Sequence, residues 1–292
     1  MADLVLHAPT SVVEACQFLA EAGGEARAIA GGTALVLMLR QGLLQPKALV
    51  RLDHIPGLDH ISIDGGLLRI GALATLRSVA ESAVVREQLP VLSGACGLVG
   101  NVRVRNVATL GGNVCEADYA SDPPTVLVAL DARVRIQGPR GAREIAVADC
   151  IEDFYTTALE PDEVLTDVLV PLPRPGMRAM YLKYVSRSWE DRPCVGAVAL
   201  IDLAEDGHIE NLRVAVGAIA GRPLRLTEVE AETRGERPTD DVFRSVAAAY
   251  EAVADPVEDV RGPAAYRKRM VGVFVRRALE AAMTQPAGAR LV

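Results

Sequence analysis

The sequence predicts an α+β protein of two domains, and three observations carry that prediction. A short apolar strand leads through a glycine pair into a helix at Arg27–Gln41, and the same order recurs at Arg103–Asp131. Two hairpin signals separate apolar runs, Asp64-Gly65-Gly66 and Gly138-Pro139-Arg140-Gly141. Past a proline-rich break at Pro171–Gly176, three strand-like segments precede three helical ones, the order of an antiparallel sheet covered by helices. The break places one domain at residues 1–175, with subdomains of about 1–56 and 57–175, and a second at 176–292.

Composition narrows the function classes. Of 292 residues, 50% are hydrophobic and 24% charged, the profile of a globular chain with real cores. A net charge of −7 argues against a nucleic-acid partner. Apolar runs are broken well short of a membrane span, and the amino end MADLVLHAPT has no basic segment followed by a long apolar core. A cytoplasmic location is therefore expected. Five cysteines stand far apart at 16, 96, 115, 150 and 194 without a CxxC pair. This pattern speaks against zinc, a chain-bound iron–sulfur cluster and a disulfide framework, so no metal site is expected.

Taken in order, Ser11 and Glu14 form a capping box ahead of an apolar helical face at Val12, Ala15, Cys16, Leu19 and Ala20. Arg27–Ala30 reads as a short buried strand, Ala34–Gln41 as a helix and Ala48–Leu52 as the returning strand of a β-α-β unit. His54 and His60 read as surface residues in turns. Ile61–Ile63 and Leu67–Ile70 make the first hairpin, Thr75 caps a helix to about Ser82, and Leu89–Val99 is another helix. Arg103 begins a short β segment, Thr109–Asn113 is a turn, and Asp122 caps a helix with Pro123 at its first position. Arg133–Ile136 and Glu144–Val147 form the second hairpin, Asp149–Thr157 a short helical turn, and Val164–Val170 a strand. Strands are then expected at 179–186, 195–203 and 209–219, and helices at 226–233, 240–253 and 263–283. The charged residues Arg267, Lys268, Arg269, Arg276, Arg277 and Glu280 should form a solvated face of the last helix, or else an interface with a partner subunit.

The chemistry resides in the two glycine pairs. Gly31-Gly32-Thr33 and Gly111-Gly112 let backbone approach a ligand, while Thr109 and Asn113 add a hydroxyl and an amide. Unpaired N–H groups at such turns and at helix amino ends attract anions. Either stretch alone also fits an ordinary turn before a helix. Two in one chain suit a dinucleotide, whose pyrophosphate carries about two charges. Other signatures are missing: no G-x-G-x-x-G follows a strand, and G-x-x-x-x-G-K-[ST], H-E-x-x-H and G-x-S-x-G are absent.

These stretches, with Lys183 in YLKYVSR, resemble the FAD-binding medium subunit of molybdenum hydroxylases, the family of aerobic carbon monoxide dehydrogenase and xanthine dehydrogenase. The matching pieces are AIAGGTALVLMLRQG, VRNVATLGGNVCEADYASDPPTVLVALDA, DEVLTDVLVPLP and YLKYVSRSWEDRPCVGAVALID, about two thirds of the chain in family order. Where the family often has an acidic–aromatic pair just after this last strand, the chain has Asp191-Arg192.

The resemblance implies a vanillyl-alcohol-oxidase (PCMH)-type FAD fold followed by a C-terminal domain. It implies that Ala28, Ile29, Ala30, Gly31, Gly32, Thr33, Ala34 and Leu35 wrap the FAD pyrophosphate. Thr109, Leu110, Gly111, Gly112 and Asn113 would form the second phosphate and ribityl loop. Asp122 would accept a bond from an FAD hydroxyl, Leu165 would meet the cofactor through its backbone, and Lys183 would lie by the pyrimidine edge of the flavin. Trp189 would either stack on the flavin or serve a core or interface. The implied role is electron transfer in an oxidoreductase, with no catalytic residue in this chain. A small [2Fe–2S] subunit would deliver electrons from a large molybdopterin-cofactor subunit, in a dimer of heterotrimers. A self-contained flavin oxidase and a flavin-free scaffold are the alternative readings.

Overall fold

The structure, a computed structural model, describes residues 4–284. The ends of the two expected domains, 1–3 and 285–292, and the first three positions of the amino-end reading lie outside it.

The chain opens with β1 (Val5–His7), α1 (Val12–Glu21), β2 (Ala26–Ile29), α2 (Leu35–Arg40) and β3 (Ala48–Arg51). The three strands form a parallel sheet in the order β1-β3-β2. Strand β1 was not foreseen, because its two apolar residues, Val5 and Leu6, are about half exposed and show no alternation. Ser11 caps α1 by accepting from the Glu14 N–H at 3.2 Å. The Glu14 carboxylate reaches one residue further back than a capping box requires, to the Thr10 N–H at 2.7 Å. Ala15, Cys16 and Leu19 of α1 pack on Ala26, Ala48 and Val50 in a small core. Strand β2 is not buried as expected: it lies at a sheet edge and exposes Arg27 and Ala28.

The second unit begins with the hairpin β4 (Ile61–Asp64) and β5 (Leu67–Gly71). Six helices follow: α3 (Leu76–Glu81), α4 (Ala83–Gln88), α5 (Pro90–Gly97), α6 (Val102–Arg105), α7 (Leu110–Glu116) and α8 (Asp122–Ala129). Then come β6 (Arg133–Gly138), β7 (Gly141–Ala146), α9 (Val147–Cys150), β8 (Ile151–Asp153), β9 (Thr156–Thr157) and β10 (Val164–Pro171). The main sheet is antiparallel, ordered β4-β5-β10-β6-β7. Every residue of α8 is buried, which explains why it is apolar apart from Asp122 and Thr125.

Three local expectations are corrected here. Arg103 lies in α6, not in a strand, because the Asn101 side chain accepts from the N–H groups of Arg103 (3.0 Å) and Val104 (3.2 Å) and nucleates a turn. Ser121 occupies the cap position of α8, and Asp122 is its first residue, since the Asp122 carboxylate is engaged elsewhere. The segment expected to be helical through Thr157 leaves helix after Cys150 and forms the β8–β9 hairpin.

The third unit follows its expectation closely. Strands β11 (Arg178–Tyr184), β12 (Val195–Leu203) and β13 (Ile209–Gly217) form an antiparallel meander, followed by α10 (Thr227–Glu232), α11 (Asp240–Val253) and α12 (Ala264–Thr284). One sheet face packs on α11 and α12, while Tyr181, Val198 and Ala215 of the other join the core of the second unit. Gly217 permits that second contact, because a methyl there would overlap the Thr125 side chain of α8. Arg267 is not on a solvated face. It is fully buried, donating to the carbonyls of Cys194, Val257 and Ala218 and pairing with Asp259 at 3.1 Å. Burial of a guanidinium is tolerated when its donors are satisfied in this way.

Candidate functional site

The first glycine pair follows β2, and the chain turns through Ala30–Ala34 into α2. Gly32 has φ +69°, a left-handed conformation that a side chain would strain. Among the described residues, the N–H groups of Gly31, Gly32, Thr33 and Ala34 donate to no protein acceptor. The turn is partly exposed, and α2 buries none of its six side chains. A run of N–H groups without protein acceptors at the start of a helix is the chemistry that can hold a phosphate.

The second glycine pair is built differently. It is not a turn but the first part of α7, capped by the Thr109 hydroxyl, which accepts from the Gly112 N–H at 3.1 Å. Leu110 donates to Ala74 at 2.9 Å, Gly111 to Ala72 at 3.0 Å and Asn113 to Thr109 at 2.9 Å. All four N–H groups of 110–113 are thus spent on protein, which corrects the expectation of a second open N–H cradle. Gly111 is glycine because a methyl would stand 2.6 Å from the Ala72 Cβ, where α7 presses on the end of β5.

The two stretches nevertheless meet. A methyl on Gly31 would overlap the Val107 carbonyl, and one on Gly112 would come within 3.9 Å of the Ala30 Cβ. From there a chain of contacts runs inward. Asn113 donates to the Ser121 hydroxyl at 2.8 Å, and the next residue is Asp122. Asp122 accepts from the Tyr181 hydroxyl at 2.6 Å and from the Lys183 ammonium at 3.0 Å. Lys183 also donates to the Leu98 carbonyl at 2.8 Å. The Lys183 and Asp122 side chains are 1% and 3% exposed, so the pair is sealed between α8 and the third sheet. Burial pushes the Asp122 carboxyl above its ordinary range, against the pull of the Lys183 charge and the Tyr181 hydroxyl. Burial and the neighbouring carboxylate drive Tyr181 well above the usual phenol range.

Leu165 sits in the core on β10, where the pairing with β6 slips between Leu165 and Asp167. The next carbonyl, that of Thr166, accepts from Ala72, which also contacts Gly111. Gly31 thus lies against Val107 and Ala30 beside Gly112, the Asn113–Ser121 bond leads on to the sealed Asp122–Lys183 pair, and Leu165 stays in the core on β10.

Three residues near these stretches were given no site role in the sequence reading. Tyr181 opens the YLKYVSR stretch but was assigned no role in it, and only its spacing of two from Lys183 on a strand puts both side chains on one face. Glu116 ends α7 and is pushed up to about 7 by burial and the nearby Asp118, against the opposing charge of Arg192. Arg192, from the β11–β12 loop, pairs with Asp118 and lies 4.0 Å from Glu116. Trp189 in the same loop is 66% exposed, so it serves no core. Among the described residues no group of three or more His, Cys, Asp or Glu side chains could hold a metal ion, and no helix is long and apolar enough to cross a membrane.

Comparison with known proteins gives two family matches, an FAD binding domain in molybdopterin dehydrogenase over residues 2–173 and a CO dehydrogenase flavoprotein C-terminal domain over 180–282. The carbon monoxide dehydrogenase medium chain of Hydrogenophaga pseudoflava is 31% identical over 94% of this chain and 96% of its own length. The glyceraldehyde dehydrogenase medium chain of Sulfolobus acidocaldarius is 30% identical over 92% and 95%. Among solved structures, a carbon monoxide dehydrogenase from Hydrogenophaga pseudoflava lacking the Mo-pyranopterin moiety of its molybdenum cofactor matches with a TM-score of 0.93. It shares 32% identity, covering 97% of this chain and 98% of that one.

Proposed function

The chain belongs to the family of FAD-binding medium subunits of molybdenum hydroxylases, an oxidoreductase family, and on that premise we propose that it is the electron-transfer subunit of such a complex. Bound FAD supplies the redox chemistry, accepting electrons from [2Fe–2S] clusters of a small partner subunit and passing them to a terminal acceptor. A large molybdopterin-cofactor subunit oxidises the substrate, and the assembly is a dimer of heterotrimers. The relatives' names, carbon monoxide and glyceraldehyde dehydrogenases, differ in substrate, which accords with a substrate chosen outside this chain.

The protein's task in this reading is to bind and orient. Ala28–Leu35 hold the pyrophosphate on the free N–H groups of Gly31–Ala34, the single observation that carries the assignment. Thr109–Asn113 lie across from that turn and offer the Asn113 amide rather than backbone N–H groups. Asp122, Leu165 and Lys183 complete the deeper end, where a fixed ammonium favours negative charge on the flavin's pyrimidine edge.

The test is an absorption spectrum of the purified chain, then titration of the cofactor-stripped protein with FAD and with FMN. Oxidised-flavin bands are expected, with FAD at least ~100-fold tighter than FMN, since FMN lacks the pyrophosphate that the turn recognises. A folded, colourless protein that takes up no FAD would overturn the reading. In the assembled complex, substrate should reduce the flavin only when the small subunit is present.

A further inference from the structure

Strand β11 brings one side chain to the buried pair that no family resemblance supplied. Tyr181 and Lys183 are two apart, so both project from one face of the strand towards α8. The Tyr181 side chain is 1% exposed, and its hydroxyl donates to Asp122 Oδ1 at 2.6 Å while Lys183 takes Oδ2 at 3.0 Å. Each carboxylate oxygen thereby has its own donor, and the carboxylate plane is fixed by two bonds from one strand. Neighbouring backbone is cut to fit. Gly196 on β12 stands opposite Lys183 in register, and a methyl there would come 2.5 Å from the Tyr181 hydroxyl. A larger residue would push the hydroxyl off Asp122.

We propose that Tyr181 is a positioning residue of the FAD site, orienting the Asp122 carboxylate and keeping it ionised so that it accepts a cofactor hydroxyl and holds Lys183 in place. The inference rests on the reading that Asp122 and Lys183 face bound FAD. Two physical arguments support it. A carboxylate this deeply buried needs donors to remain charged, and a phenol oxygen at 2.6 Å is a strong one. Tyr181 itself cannot take over the charge, because burial beside Asp122 holds its phenol protonated. It therefore acts as a fixed donor across the working pH range, and Asp122 is the titrating member.

The experiment titrates the cofactor-stripped full chain with FAD, by flavin fluorescence, between pH 5 and 8. Tyr181→Phe keeps the ring and loses only the donor. It should weaken FAD about tenfold at neutral pH and move the acid limb of the affinity profile to higher pH, because Asp122 then protonates more readily. Asp122→Asn should weaken FAD and abolish that limb, and adding Tyr181→Phe to it should cost little more. Gly196→Ala, which retains the hydroxyl but displaces it, should reproduce the shift in milder form and should add nothing to Tyr181→Phe.

A merely structural tyrosine would instead lower thermal stability, leave the pH profile unmoved and add fully to Asp122→Asn. That result would overturn the proposal. If Asp122→Asn and Lys183→Met leave FAD affinity unchanged, the placement of FAD against this pair fails and the inference falls with it. If those variants weaken FAD while Tyr181→Phe matches wild type at every pH, the site reading stands and the inference alone is wrong.

Discussion

The two glycine pairs share sequence character and little else. Gly31-Gly32 lies in a partly exposed turn where the four N–H groups of Gly31–Ala34 have no acceptor among the described residues, ahead of a helix that buries no side chain. Gly111-Gly112 lies at the buried start of α7, with every N–H from 110 to 113 already bonded. In the first pair glycine serves backbone conformation, at Gly32, and close approach, at Gly31. In the second it serves packing alone, at Gly111 against Ala72. Under the proposed function the contrast separates binding from support: the loose turn would offer its donors to the cofactor, and the packed helix would hold the wall beside it. Regions that bind are commonly drawn from the less stable parts of a fold, and α2 fits that pattern.

The largest expected effect lies at the buried end of the supporting region. Asp122→Ala leaves the Lys183 ammonium sealed without its carboxylate, at a cost of about 3–5 kcal/mol. Val36→Ala on α2, a half-exposed position, should stay within about 0.5 kcal/mol. Denaturant titration of the two variants measures the contrast directly. Comparable losses would break the division between a loose binding turn and a packed wall.

A second difference depends on pH. Glu116 closes α7, and its folded pKa of about 7 stands above the ordinary 4.5 because burial, and then Asp118, penalise the charge. With the folded value raised, stability from this group is complete below about pH 4.5 and is lost as pH rises through 7. Glu116→Gln should therefore stabilise the chain at pH 8, with a ceiling of about 3 kcal/mol, and the gain should vanish near pH 4.5. Unfolding curves at both pH values decide this. A gain independent of pH would mean that the charge of Glu116 is not what strains the end of α7. No corresponding carboxylate ends α2, whose last turn carries Arg40.

How much of this was legible in the sequence varies with the kind of interaction. The β11–β13 meander and α10–α12 were readable because alternation and helical periodicity are local signals. The hairpins were readable because Asp-Gly-Gly and Gly-Pro-Arg-Gly fix turns within a few residues. Arg103 was misread because a cap from Asn101 outweighs the strand preference of alternating valines. Arg267 was misread because its carbonyl acceptors come from three separate loops, two of them, at Cys194 and Ala218, far away in sequence. The same limit applies at the candidate site. The glycine pairs announced themselves, but the state of their N–H groups depends on Ala72 and Ala74, more than thirty residues away. The Tyr181–Asp122 bond spans 59 positions and left no mark in either segment.

The smallest expected effect compares the two threonines beside the glycine pairs. Thr109 caps α7 by accepting from Gly112, so Thr109→Ala should cost about 1 kcal/mol. Thr33 is exposed, precedes the uncapped Ala34 and has no side-chain bond to described protein, so Thr33→Ala should cost less than about 0.5 kcal/mol. FAD affinity should invert the ranking. If the turn holds the pyrophosphate as proposed, loss of the Thr33 hydroxyl should weaken binding severalfold. Loss of the Thr109 cap should act only through the stability of α7 and weaken binding less. Paired denaturation and flavin-titration measurements on the two variants read both orders at once. If Thr109→Ala proved the more damaging to both stability and affinity, cofactor binding would depend on the packed wall more than on the open turn, and the division of labour would have to be redrawn.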